Sequence, residues 1–99
     1  MDKEVERILY EVKLGRKYGW GKLTILYNVM RNYGWDVYDD LLWLEKAKKS
    51  GIDTSNIDEV IKFILDEEEK EARRLNRKEY IRIIKIIRDT LLGKSKVDK

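Results

Sequence analysis

Three sets of side chains in this 99-residue chain have the types and spacing to do chemistry. Asp36, Asp39 and Asp40 gather where a helix would begin. As a magnesium site they would need a second acidic element facing them, such as Glu67, Glu68 or Glu71. At a helix start the same carboxylates also serve as caps and suit the helix dipole, without any metal. The order Gly15…Gly21-Lys22 has the outline of a phosphate-binding loop. Its spacing is one residue too long, Leu23 stands where Ser or Thr should hold magnesium, and no strand precedes it. What remains is a helix N-terminus whose free N–H groups attract anions. The third set is basic. From Arg73 to Arg88 there are seven cations and one acid. On a helical wheel Arg74, Lys78, Arg82 and Lys85 form a stripe opposite an Ile face, with Arg88 beyond them and Asp89 within them. These five are the candidate phosphate contacts for a nucleic acid. Nearby acids would instead make the stripe an ordinary solvated face.

The residue types that are missing narrow the field. The chain has no His and no Cys, and also no Pro and no Gln. Imidazole-based triads, histidine or thiolate metal sites and disulfides are therefore all excluded. Paired carboxylates remain, but nothing in the sequence brings two of them together across a cleft. The expectation is a protein that is not an enzyme and takes no cofactor. Its longest apolar runs are far too short for a membrane span, and its first residues do not read as a signal peptide. The segment from Leu26 to Lys46 has helix-turn-helix spacing, but its would-be reading helix opens with aspartates that phosphates repel.

The aromatic residues raise a different possibility. Arg16-Lys17-Tyr18-Gly19-Trp20 and Arg31-Asn32-Tyr33-Gly34-Trp35 repeat the pattern R-x-Y-G-W fifteen residues apart. Helix capping accounts for every position: Gly turns left-handed to close a helix, and Trp folds back on the last turn, so Trp20 would cover Leu14. The alternative is that Trp20 and Trp35, each beside an Arg, form a platform for bases or for a protein partner. Trp43 is ambiguous in the same way. It projects to the side of its helix that carries Asp39, Asp40 and Ala47. There it is an interface anchor if the helix is peripheral and core if the helix is central.

The elements that must hold these residues are helices, because apolar positions recur with a period near 3.6 and no segment alternates as a strand would. Val5, Ile8, Leu9 and Val12 mark a first helix, from about Lys3 to Leu14 or Tyr18. Leu23, Leu26, Val29, Met30 and Tyr33 mark a second, and a third runs from about Asp36 to Lys49 and stops at Ser50-Gly51. Ser55 with Asp58 predicts the cap of a fourth, whose core face is Ile57, Val60, Ile61, Ile64 and Leu65. The run DEEEKEARR is a solvated face, with Asp66 pairing Lys70 and Glu69 pairing Arg73. A break is expected near Asn76, acting as a second cap; one unbroken helix is the competing reading. Tyr80, Ile83, Ile84, Ile87 and Leu91 line the last helix, which ends at Gly93. The expected fold is all-α, a compact single-domain bundle of four or five helices over residues 1–93, with residues 94–99 a flexible basic tail.

Composition adds a hint of origin. Charged residues are 41% of the chain, yet 22 Lys and Arg against 19 Asp and Glu leave a net charge of only +3. Heavy Lys/Glu/Arg usage, eleven Ile and no Gln match proteins from hot environments, though an AT-rich genome gives a similar bias. Through the stretches RKYGWGKLTILYNVM and DVYDDLLWLEKAKKSGID, the chain resembles small helical proteins of the filamentous double-stranded-DNA viruses of thermoacidophilic archaea, the lipothrixvirus and rudivirus group. That resemblance implies a thermostable helical protein made in the cytoplasm of an infected host cell, and it carries over no catalytic or binding residue. The expected function is a non-enzymatic interaction or accessory module that docks a host or viral protein, or a second copy of itself. Its candidate interface is Trp43, Asp39, Asp40, Ala47, Trp20 and Trp35. The alternative is a sequence-indifferent nucleic-acid binder working through the C-terminal basic stripe.

Overall fold

Every apolar stripe read from the sequence folds as a helix. The computed structural model describes residues 3–33 and 40–93, an all-α bundle of α1 (Lys3–Lys17), α2 (Lys22–Asn32), α3 (Asp40–Lys49), α4 (Ile57–Arg74) and α5 (Lys78–Leu92). No strand occurs among the described residues. The predicted start of the third helix at Asp36 and the predicted tail at residues 94–99 lie outside them.

Three of the helices close in the same way. After α1, Gly19 adopts φ 77°. Its N–H donates to the Arg16 carbonyl while Trp20 N–H reaches the Gly15 carbonyl at 2.9 Å. This is the paired closure in which a left-handed residue satisfies the last carbonyls. Gly51 and Ile52 repeat it on Lys48 and Ala47 after α3, and Asn76 and Arg77 repeat it on Arg73 and Ala72 after α4. The break near Asn76 is therefore real, but its mechanism differs from the one predicted. Asn76 has φ 57° and ends α4, and Arg77 stands at the cap position of α5. Asn tolerates that backbone better than most residues, which is why it can replace Gly there. The cap of α4 also moves by one residue. Asn56 accepts from Glu59 N–H, while Ser55 donates to the Asp53 carboxylate at 2.7 Å.

The core lies where α4 and α5 pack against each other and against α1 and α2. Ile8, Val12, Leu26, Val29, Met30, Val60, Ile61, Ile64, Leu65, Ile83, Ile84, Ile87 and Leu91 fill it, and no charged side chain is buried among the described residues. Two positions assigned to the core face are turned out: Leu9 is 38% and Ile57 40% exposed. Both sit at the margin of their stripes, and Ile57 is the first residue of α4. In α2, Ile25 and Tyr27 widen the buried face. α3 touches only α4 among the described helices.

A polar tie spans nearly every helix contact at the surface. Asn32 donates to Glu11 at 2.7 Å between α2 and α1, and Lys22 meets Asp58 at 2.8 Å between α2 and α4. Lys46 meets Glu67 at 3.4 Å between α3 and α4, Arg88 meets Asp66 and Glu69 between α5 and α4, and Arg82 pairs with Glu4 between α5 and α1. Exposed pairs of this kind each contribute little, on the order of 0.2–1 kcal/mol. Their value here is in fixing which helix face meets which.

Candidate binding surfaces

Trp43 is not a surface anchor. It is 2% exposed, and Ala47, one turn later, is fully buried. Both possibilities weighed from the sequence tied its fate to the position of its helix, and the structure separates the two: α3 is peripheral, yet it turns Trp43 and Ala47 inward onto α4. The indole meets Phe63 edge-on at 6.2 Å, and Lys46 Nζ lies 5.3 Å from the Trp43 ring centroid. The outward side of α3 includes Leu42, which is half exposed. A Trp–Ala pair four residues apart makes one large and one flat inward position, which lets a peripheral helix sit close to its neighbour. Trp43 and Ala47 therefore leave the candidate interface. Asp39 and Trp35 lie outside the described residues, as does the side chain of Asp40.

The C-terminal basic stripe is largely neutralised. Arg74 is bidentate on Glu71, with contacts of 3.1 and 2.6 Å. Arg82 pairs with Glu4 of α1, and Arg88 bridges Asp66 and Glu69, both at 2.9 Å. Lys78 and Lys85 stay exposed. The acids come from other helices as well as from the preceding run, which a wheel of α5 alone cannot show. On α4 the pairing is also partly rearranged. Glu69 does meet Arg73, at 2.7 Å, but Asp66 turns to Arg88 and Lys70 to Glu67. The Glu69 carboxyl is held below its ordinary range by the Arg73 guanidinium and then by Arg88, against a partial burial that pushes it up. Glu71 is likewise held low by Arg74.

An open groove of about 500 Å³ runs beside the α3–α4 seam, floored by Ile52 and Phe63. Its wall carboxylates, Asp66, Glu67 and Glu69, are all engaged by Lys or Arg. No cluster of three metal-ligating side chains occurs among the described residues, and no helix there is long and apolar enough to cross a membrane.

The end of α1 offers a different surface. Ile8, Val12 and Gly15 form its buried face. At about 100° per residue, Tyr10 and Lys17 point directly away from that face, with Lys13 about 50° to one side of it and Leu14 and Tyr18 on the other. Tyr18 is 65% and Trp20 41% exposed, and their ring centroids are 6.2 Å apart at 31°. Trp20 does fold back as the capping reading expects, but onto Gly15. A Cβ there would lie 3.2 Å from Trp20 Cε3 and 2.6 Å from Ile25 Cγ1. Bare backbone at Gly15 thus seats the indole edge and α2 together and leaves part of the ring in solvent. Lys13 and Lys17 make no ion pair among the described residues. Arg16, in the same last turn, faces the opposite flank.

The second copy of the repeat is not equivalent. Tyr33 is half-buried, with the Arg7 guanidinium 5.4 Å from its ring centroid, and burial pushes its hydroxyl pKa up. Gly34 and Trp35 lie outside the described residues. Trp20 stands out in the sequence, whereas Tyr10, Lys13 and Lys17 do not stand out there as its companions. The signal was present in the i, i+3, i+7 spacing of Tyr10, Lys13 and Lys17, the one outward face of α1 with no acid between its cations. No protein-family model, no curated protein and no solved structure matches the chain.

Proposed function

We propose that the protein is a non-enzymatic interaction module, an accessory protein that docks a macromolecular partner through the corner where α1 meets α2. The observation that carries this reading is the exposed Tyr18–Trp20 ring pair, held in place by the Gly19 closure and by the bare backbone of Gly15. Amphipathic aromatics seated on a rigid turn give contact area at little entropic cost. The neutralised α5 stripe and the occupied carboxylates of the α3–α4 groove support neither a second docking face nor a catalytic centre as well as this corner does. Resemblance to proteins of filamentous archaeal viruses, with a composition typical of hot environments, supports a thermostable viral protein at work in the host cytoplasm.

The test is capture from extracts on immobilised wild type and on Tyr18→Ala/Trp20→Ala, with protein and nucleic acid both identified in the eluate. The same comparison by light scattering reports self-association. Expected is a partner, or a second copy, retained by the wild type and lost from the variant. An identical bound set and an identical mass on both would remove the corner as the docking surface.

A further inference from the structure

The charge and ring geometry at the α1–α2 corner narrow the partner class, given that the corner is the docking surface. We infer that it binds single-stranded nucleic acid, without base preference, along the outward face of α1. Lys13 and Lys17 are one helical turn apart, exposed, and free of ion pairs among the described residues. A phosphate backbone supplies anions in just such a row. Tyr18 and Trp20 follow at the helix end. Their centroids are 6.2 Å apart at 31°, short of the roughly 6.8 Å between parallel rings that would sandwich one base, so each ring takes a base of its own. A duplex hides its base faces in its own stack and has none to offer. Stacking needs only a π-face, so the surface is tolerant of sequence. Glu6, a turn before Tyr10, is the nearest acid on this face and sets where the strand leaves the helix. An acidic protein segment would use the lysines but has no broad aromatic faces to lay on two tilted, separately exposed rings.

The experiment is a fluorescence-anisotropy titration of the full chain with labelled oligothymidine, a duplex of equal length and a polyglutamate peptide, at two salt concentrations. Single strands are expected to bind at least tenfold tighter than the duplex. Two phosphate contacts give a log–log salt slope of about −1.4. Tyr18→Ala should weaken binding about tenfold, a loss expected of one stacking ring. It is the variant least able to disturb folding, because its ring is exposed. Lys13→Glu/Lys17→Glu should abolish the salt dependence, whereas Lys78→Glu/Lys85→Glu should leave the titration unchanged. Duplex bound as tightly as single strand, or single-strand binding that ignores Tyr18 and both lysines, would overturn the inference. Peptide bound through Tyr18 with no single-strand binding would overturn it too, while leaving the corner as a docking surface. If the Lys78/Lys85 variant alone lost binding, both the inference and the corner would fall.

Discussion

The α3–α4 seam and the α1–α2 corner are made of the same parts and end in opposite states. Each has a tryptophan, a second aromatic ring at a centroid distance of 6.2 Å, and lysines close by. At the seam Trp43 is buried, its ring meets Phe63 edge-on, and Lys46 is drawn between the indole and Glu67. At the corner the rings are tilted and open, and the lysines face water. Neighbours decide the difference. α4 brings Phe63 and Glu67 to the seam, supplying an apolar wall and a counter-charge together. Across from the corner stands α2, whose nearest side chain, Ile25, is used up in covering Gly15. Aromatic and basic residues stay open to a partner only where the described helices leave them without one of their own.

The largest effect expected from this contrast is on stability. Trp43→Ala should cost about 3–5 kcal/mol, as for other large-to-small core changes, and Trp20→Ala only about 1 kcal/mol, since much of its ring is already wet. Denaturant titration of both variants checks this, and equal costs would erase the distinction between seam and corner. Gly15→Ala comes next. Overpacking against Ile25 costs about 1–3 kcal/mol, and improved helix propensity returns up to about 1 kcal/mol, so a net loss near 1 kcal/mol is expected. A stabilised Gly15→Ala would mean that α2 does not press on that backbone.

Acid separates the regions more finely. Because the folded state lowers the Glu69 pKa, its contribution is complete at neutral pH. It fades as pH drops below the ordinary carboxylate range, near 4, and through the depressed value. Glu69→Gln should remove about 1 kcal/mol at pH 7 and leave a flatter acid limb in a plot of stability against pH. An unchanged limb would show that Arg73 and Arg88 do not hold that carboxylate. With no charged side chain buried among the described residues, the whole bundle should stay folded at pH 4, and circular dichroism across that range tests it. Smallest of all is the Lys46–Glu67 tie. A double-mutant cycle should give coupling of about 0.5 kcal/mol, lost in high salt, whereas Lys17 should couple to no acid.

The helices were legible because their apolar stripes are long and regular: Ile83, Ile84, Ile87 and Leu91, or Val60, Ile61, Ile64 and Leu65, leave no other period. Gly19 and Gly93 were legible as stops for the same local reason. What could not be read was whatever depends on a second helix. Trp43 stayed open between core and interface because Leu42 and Trp43 are apolar neighbours, and only α4 chooses which of them is buried. Arg82 and Arg88 looked available because Glu4 and Asp66 are 78 and 22 residues away. The tyrosine–lysine face of α1 was overlooked for a converse reason. Its exposure depends on what, among the described residues, fails to reach it, and sequence spacing does not report that.

The packing of α1 against α5 has a kinetic consequence. The α1·α2, α3·α4 and α4·α5 contacts join consecutive helices across short links, so their loops close early and at small entropic cost. Bringing α1 to α5 encloses most of the chain between them and rewards the search only once the middle of the bundle exists. That junction should be the last to form and the first to open. Substitutions within it, at Glu4 or Arg82, should quicken unfolding while leaving the refolding rate almost untouched.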